Sequence, residues 1–335
     1  MKRKSSILLC LVFMLTLALV TGCGSKSPKE RLEESFTKSA EIKTAQQNLE
    51  MGINLNIPTE DPMQNSIMQM INGAKLKMEL ASDTKAMKAA GNISVDLSGA
   101  IYNIETYTTP EKMILKMPMS PKYLVIDQEE SLKPENKEEL MKLSKKLFKI
   151  VMDVVKEENI EDRGDKKIAT PKGEVQTTEI AMSFSDKETK DLVKRFVKLM
   201  FEDKTIKGLM IKNMEKNYKM QGIEQSKEEI EANFDEMKKA FDEGFSEVEK
   251  QIKFEKLNMV YFLDEDNNIR RSEFDVQISG KDEETGQSIS IGLNGLSNIW
   301  NINKEVELNI PKLTEENSTN IEDLNNMNPA AIPYQ

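Results

Sequence analysis

Apolar and polar residues alternate along many short segments of this chain, and that alternation limits the fold more than any other feature does. In residues 49–57 the apolar positions include Met51, Ile53 and Leu55, and residues 92–98 repeat the pattern. Successive side chains of a strand point to opposite faces, so each segment predicts a strand with one apolar face. Short polar turns separate the segments, which together predict an antiparallel meander.

Two blocks of helical periodicity interrupt the strands. Apolar residues recur at three- and four-residue spacing in the middle of the chain, which predicts a helix ending near Gly164. A longer helical block follows at about residues 185–252, where Ser185 is a suitable N-cap. A leading helix at residues 30–47 and further strands at residues 254–310 complete the order. This order predicts the α+β class, with an antiparallel sheet and the helices gathered on one face.

The first residues of the chain have the pattern of an export signal. Lys2, Arg3 and Lys4 precede an almost unbroken apolar run at residues 7–20. Fourteen residues at ~1.5 Å each form a helix of roughly 21 Å, shorter than the ~30 Å hydrocarbon core of a bilayer. The run therefore predicts a signal peptide, not a stable membrane span.

The sequence Leu-Val-Thr-Gly-Cys at residues 19–23 resembles a lipobox, with Thr21 where Ala or Ser is more usual. The resemblance implies a cleaved signal at residues 1–22 and lipidation of Cys23 with acyl chains such as palmitate. Two acyl chains hold a protein stably on a membrane, so we expect an extracytoplasmic, lipid-anchored location on the plasma membrane. Residues 23–29 would form a flexible tether. The alternative is an ordinary secretory signal followed by a chance cysteine.

Cysteine and histidine usage restricts the possible chemistry. Cys10 would leave with the signal, Cys23 would become a thioether, and the sequence contains no histidine. These facts exclude histidine-dependent catalysis and thiolate or imidazole metal sites, while an enzyme built on carboxylates, lysine or tyrosine remains possible. Our expectation is a protein without enzyme activity, metal or cofactor. The net charge is −10, and loss of three basic signal residues would make the mature chain −13. Such a charge disfavours nucleic acid as a partner.

Four features together resemble one family. They are the lipobox, the leading helix, the meander at residues 92–117 ending in a Met-Pro step, and a late hairpin at residues 261–270. This combination is similar to Gram-positive lipoproteins related to the LolA and LppX/LprG lipoprotein-carrier superfamily, over residues 30–312. The resemblance implies a single domain built on a curved antiparallel sheet, a half-barrel, with helices on its concave face. In that family the sheet and helices enclose an apolar cavity for acyl chains.

The methionine content gives a physical reason to consider such a cavity. The chain has 21 methionines, and a flexible, polarizable side chain can line a pocket that accepts lipid tails of different shapes. The alternative is that methionine fills an ordinary core. The candidate cavity residues are Met113, Leu115, Met117, Met182, Phe184, Met210, Met214, Phe234, Met237, Phe241, Met259 and Trp300.

We therefore expect a monomeric, membrane-anchored protein that binds a lipid, a lipoprotein or another amphiphile, as a carrier or a sensor. The rival hypothesis is a non-enzymatic module with a filled core that binds another envelope protein. A carboxylate enzyme comes third, with paired acids at residues 129–130 and 157–158. Asp264, Asp266 and Asn268 imitate a calcium loop, but the loop glycine is missing, which favours a hairpin turn. Residues 313–335 lack periodicity and predict a disordered tail.

Overall fold

The computed structural model describes residues 26–59, 61–127, 137–220, 223–281 and 286–321. The predicted signal, Cys23 and the paired acids at residues 129–130 lie outside these ranges. None of the helices within them is both long and apolar enough to cross a bilayer.

Twelve strands form one sheet, in the order β12-β6-β5-β4-β3-β2-β1-β11-β10-β9-β8-β7. Every pairing is antiparallel except that of β12 with β6. Two meanders, β1 to β6 and β7 to β11, join where β1 pairs with β11. The strands are β1 (Thr44–Asn56), β2 (Lys75–Asp83), β3 (Lys88–Leu97), β4 (Ala100–Thr108), β5 (Lys112–Lys116), β6 (Tyr123–Asp127), β7 (Ile160–Thr170), β8 (Gly173–Ser183), β9 (Ile252–Leu263), β10 (Ile269–Lys281), β11 (Ser288–Trp300) and β12 (Ser318–Asn320).

Six α-helices accompany the sheet in the described ranges. Ser27, Ser185 and Ser226 begin three of them with a capping box, in which the serine hydroxyl and a glutamate three residues later satisfy each other's backbone amides. The α+β class and the large antiparallel sheet are thus confirmed. The helices are α1 (Pro28–Ser39), α2 (Pro62–Ile71), α3 (Lys137–Val154), α4 (Asp186–Glu202), α5 (Lys204–Met220) and α6 (Lys227–Gln251).

The two faces of the sheet differ in chemistry. One face, here called the helix face, carries the side chains of Ile180, Met182 and Met259, against which α1, α3 and α4 pack. The opposite face, here called the polar face, carries Asn48 and Arg271 at the same level. Alternate residues of each strand keep to one face, so the strand register extends both surfaces across the sheet.

The sheet curves strongly at the β7 end. Arg271 of β10 reaches from the polar face to the backbone carbonyl of Ala169 in β7, three strands away. Flat strands ~4.8 Å apart would place these two strands roughly 14 Å apart, too far for one arginine side chain to span beside the sheet. Strand β7 therefore bends over the polar face, and a register shift between Asp162 and Asp165 marks the bend.

Apolar side chains form two separate clusters. The first joins the helix face to α1, α3 and α4 around Leu32, Ile180 and Met182, which are almost fully buried. The second lies among α4, α5 and α6, around Phe201 and Phe234. Three helices therefore carry a core of their own beside the sheet.

The C-terminal part differs from the sequence prediction. Residues 313–321 belong to the segment that we predicted to be disordered, yet Ser318–Asn320 pairs with β6. The Tyr123 amide also donates to the Asn317 carbonyl at 2.8 Å. An edge strand offers unpaired backbone groups, so a segment without an apolar pattern can still add to it. The prediction was wrong for this part, and residues 322–335 lie outside the described ranges.

Candidate functional site

The helix face continues as an apolar surface across strands that the helices leave largely uncovered. In one row, Leu76 of β2 pairs with Met51 of β1 and Val95 of β3, while in the next row Met78 pairs with Leu49 and Ile93. The full surface, here called the apolar floor, consists of Leu49, Met51, Ile53, Leu76, Met78, Ile93, Val95, Ile104, Ile291 and Leu293.

Every side chain of the apolar floor is half-buried. The main helix contacts with the sheet are to β7, β9, β10 and β1, so the helix-covered core gives way to a less covered surface toward β4. The two regions are continuous, because Leu293 pairs with Val276, and Val276 pairs with Leu257 of the covered core. An apolar ligand on the floor would therefore also reach the edge of the packed core.

Two glycines shape the helix face. A Cβ atom on Gly295 would overlap the Phe274 ring, which therefore lies directly over that glycine. A Cβ atom on Gly91 would overlap the backbone carbonyl of Glu79 in the neighbouring strand. Both glycines allow close approach, and Gly295 lets an aromatic ring lie low against the sheet.

The predicted cavity residues do not line one space. Met182 and Phe184 are buried in the first cluster, and Met259 packs against it. Met113 and Leu115 share the face of the apolar floor but lie on β5, beyond its last strand. Four candidates pack among the helices in the second cluster, namely Met210, Met214, Phe234 and Phe241.

The last three candidates lie elsewhere. Met117 and Met237 are exposed. Trp300 is buried on the polar face, where its indole Nε1 donates to the Gln46 side chain at 3.1 Å, so it faces away from the helices. Large and flexible side chains do not mark the floor residues in the sequence; their signal is alternation on neighbouring strands.

Two open spaces flank these surfaces. A cleft of about 550 Å³ lies between α1 and α3, lined in part by Phe36, Phe148 and Met152. A groove of about 610 Å³ lies on the polar face, where Lys75, Lys77 and Asn294 contribute to its lining. Neither space is formed by the predicted cavity residues.

Ion pairs dominate the electrostatics of the polar face. Lys77 Nζ lies 3.6 Å from the Glu50 carboxylate, and Lys256 pairs with Asp275. Burial and the hydrogen bond from Tyr107 to Glu105 raise the pKa of Tyr107 to about 12, so this phenol stays protonated at neutral pH. Within the described ranges, no three or more carboxylates or thiols lie together where they could hold a metal ion.

The acidic loop at Asp264 is a hairpin turn between β9 and β10. The Asp264 carboxylate accepts hydrogen bonds from the backbone amides of Asp266 and Asn268, at 3.1 and 2.8 Å. Arg270 lies 3.6 Å from the same carboxylate. Its oxygens are therefore already occupied by the turn itself, as the missing loop glycine predicted.

The fold and this surface define a class: an α+β protein built on one large, curved, mostly antiparallel sheet whose apolar face extends past its helices. No family model matches the chain, and no curated protein matches it. Among solved structures, an uncharacterized conserved protein from Thermus thermophilus is similar at 7% identity, with a TM-score of 0.27, covering 87% of this chain and 98% of that one.

Two further structures are similar at the same level. A beta-barrel-like protein of a domain of unknown function from Brucella abortus has 9% identity and a TM-score of 0.22, covering 78% of this chain and 100% of its own. A LolA superfamily protein from Nitrosomonas europaea has 8% identity and a TM-score of 0.19, covering 84% of this chain and 96% of its own.

Proposed function

We propose that this protein is a membrane-anchored extracytoplasmic lipoprotein that holds the acyl chain of an amphiphile on its apolar floor, as a carrier or a sensor. One observation carries the proposal: the apolar side chains of the helix face extend from the helix-covered core and continue, half-buried, across β11, β1, β2 and β3. Soluble monomers rarely leave a large contiguous apolar surface without a use for it. The protein acts by binding alone and needs no metal, cofactor or catalytic group.

The dimensions of the floor suit an acyl chain. The apolar floor crosses five neighbouring strands, from Leu293 on β11 to Ile104 on β4. At ~4.8 Å between strands this row of strands is roughly 19 Å wide. One leaflet of a bilayer has about half of the ~30 Å hydrocarbon thickness, so an extended tail fits within the row.

The energetics are sufficient for reversible binding. Burial contributes about 0.8 kcal/mol for each methylene, so eight buried methylenes contribute about 6 kcal/mol before the costs of association. Met51 and Met78 lie among branched side chains on neighbouring strands. Their flexible thioethers can adapt the floor to tails of different shape.

A lipid anchor on Cys23 is the other half of the proposal. We expect a Cys23→Ser variant to remain unprocessed or to leave the membrane fraction, because it lacks the sulfur that receives the diacylglycerol. Cys23 lies outside the described residues, so the substitution removes none of the contacts described for the fold. Fractionation of the wild-type and Cys23→Ser proteins tests this expectation, and equal membrane retention of a processed variant would contradict it.

A matched pair of substitutions tests the floor. Val95 and Ser94 are neighbours on β3, both half-buried, but they point to the helix face and the polar face respectively. We expect Val95→Asn to weaken binding of a fluorescent fatty acid at least fivefold, because the amide must lose water beside the tail. Ser94→Asn should bind as the wild type does. Absence of uptake by the wild-type protein, or equal affinity of both variants, would overturn the proposal.

The rival function is a protein-interaction module that binds another envelope protein. It is favoured by the tight packing of Ile180, Met182 and Leu263, which fills the space between helices and sheet. Native mass spectrometry of the protein separates the two functions. Co-purified lipid supports the amphiphile proposal, whereas a lipid-free mass together with no fatty-acid uptake supports the module.

A further inference from the structure

Helix α2 exposes an apolar stripe at one end of the sheet. Met63, Ile67 and Met70 lie at positions i, i+4 and i+7, and their exposed fractions are 74%, 41% and 48%. Residues at this spacing share one side of a helix, so the three side chains form a single surface. Helices of soluble proteins usually turn such a stripe inward.

The helix also lacks charge, which is unusual in this chain. Charged residues make up 31% of the sequence, yet residues 62–74 contain none. Its remaining side chains are amides and one hydroxyl, apart from Pro62 and the half-buried Met68 and Ile71. Burying charged groups costs far more than burying apolar ones, so a helix without them can enter an apolar environment cheaply. Without the signal the chain has a net charge of −13, which opposes contact with an anionic surface, whereas an uncharged helix adds no repulsion of its own.

Hydrogen bonds fix α2 beside the apolar floor. Asp61 caps its first turn by accepting from the Met63 amide at 2.8 Å. At its other end the Asn72 side chain accepts from the Leu55 amide, and the Gly73 amide donates to the Ile53 carbonyl, both at 2.9 Å. Ile53 belongs to the floor, so the exposed stripe lies at the floor's edge.

The predicted anchor would place a bilayer within reach. Cys23 precedes Ser27, the N-cap of α1, by four residues, a distance of at most ~14 Å in extended chain. Helices α1 and α2 precede and follow β1, whose 13 residues span roughly 44 Å. Both ends can touch one bilayer if β1 lies along the membrane plane.

We infer that α2 docks onto the bilayer surface and inserts Met63, Ile67 and Met70 between the lipids, so that a tail can pass from the membrane to the apolar floor. This inference rests on the proposed function and names the surface that supplies the ligand. Because α2 carries no charge, docking depends on apolar insertion and not on anionic lipid.

Vesicle flotation tests the inference. The protein used begins at residue 24, which keeps every described residue and removes the lipid anchor. We expect it to float with phosphatidylcholine vesicles, with little change as salt rises. The variant Met63→Gln, Ile67→Gln, Met70→Gln should reduce the bound fraction at least tenfold, since the three apolar side chains that insert between the lipids are lost. The control Asn65→Gln, Ser66→Gln changes two exposed polar residues of the same helix and should float as the wild type does.

A spectroscopic readout distinguishes insertion from misfolding. Trp300 is the single tryptophan and is buried on the polar face, so its emission should not respond to vesicles. The indole introduced by Ile67→Trp should shift to the blue when vesicles are added. If the emission does not shift, or if the triple variant floats as well as the double control does, the docking inference is wrong. That conclusion holds even if Val95→Asn shows that the floor binds fatty acid. Loss of fatty-acid binding with vesicle docking intact would instead contradict the proposed function alone.

Discussion

Arg271 of β10 donates a hydrogen bond from Nη2 to the backbone carbonyl of Ala169 in β7, at 2.7 Å. The same guanidinium donates from Nε to the Asn298 side chain at 2.7 Å and lies over the Phe262 ring. One side chain therefore connects strands that are three places apart in the sheet. This connection closes the β7 end over the polar face.

Substitution of Arg271 by lysine should open that end. Lysine keeps the charge but has no planar fork to bind two acceptors at once, so we expect a loss of about 1–3 kcal/mol in the free energy of unfolding. Amide hydrogen exchange around Ala169 should accelerate. Arg195→Lys serves as the control, because Arg195 pairs with Asp191 on the surface of α4, where both side chains are about half exposed. Unchanged exchange at Ala169 would show that the hydrogen bond does not hold the bend.

The close contact of Gly295 and Phe274 predicts a coupled pair. Gly295→Ala should cost about 1–3 kcal/mol, because the new methyl group forces the Phe274 ring from its position. Phe274→Leu should recover part of that cost in the double variant, giving a coupling energy of at least about 0.5 kcal/mol. Gly292→Ala is the control, since its Cβ atom would meet Asn54 at an ordinary distance. If denaturant titrations show that the losses in free energy of unfolding of the two single variants add up in the double variant, the two residues are not in contact.

Asp203 should contribute stability that depends on pH. A hydrogen bond from Lys146, at 2.6 Å, lowers the pKa of Asp203 below its ordinary value of 3.8, and the carboxylate also accepts from the Thr205 and Ile206 amides. A lowered pKa in the folded state means that the contribution is present above pH 3.8 and is lost as the pH falls through the folded value.

The variant Asp203→Asn should therefore unfold more easily than the wild type at pH 7. We expect the difference to shrink steadily below about pH 4. Thermal unfolding at several pH values measures it. Asp191→Asn is the control, because Asp191 pairs with Arg195 on the helix surface, where both are about half exposed. A constant difference from pH 7 to pH 3 would contradict the assigned cause.

The second cluster should open without the sheet. Phe234 is fully buried among α4, α5 and α6, and we expect Phe234→Ala to cost about 3–5 kcal/mol of local stability. Hydrogen exchange should rise in α5 and α6 while the amides of β1 and β10 stay protected. Met237→Ala, at an exposed position of α6, should change neither. Simultaneous loss of protection in the sheet would mean that the two clusters form one cooperative unit.

Strong local patterns made most elements predictable. The alternation of Met51, Ile53 and Leu55 predicted β1, and Ser185 before an apolar repeat predicted the start of α4. Both signals are local, because they depend on the side-chain period of one element or on one cap. The α+β class followed from the order of such elements and is confirmed by the sheet and its helices.

Strand β7 was missed because its sequence lacks that signal. We predicted a helix ending near Gly164, but α3 ends at Val154 and a strand runs from Ile160 to Thr170. Only Ile160 and Ile168 are buried along it. An edge strand has one neighbour and needs few apolar residues, so tertiary pairing decides its structure.

The apolar floor was missed for a different reason. Alternation predicted strands at β1 and β3, but the floor exists only because Leu76 of β2 lies between Met51 and Val95. That register depends on pairing between strands, which one sequence does not specify. Phe234 was instead predicted to line the cavity because it is bulky, but it belongs to the separate helical cluster.

Paramagnetic relaxation by a fatty acid with a nitroxide on its chain shows whether a tail lies on the apolar floor. With methyl-labelled protein, the proposed function predicts selective broadening at Leu76, Ile93 and Val95 of the apolar floor. Ile230 in the helical cluster and Ile114 on the polar face are buried elsewhere and should remain sharp. The proposed function would be contradicted if broadening were confined to Ile230 or Ile114. It would also be contradicted if no broadening occurred at any concentration at which the fatty acid is soluble.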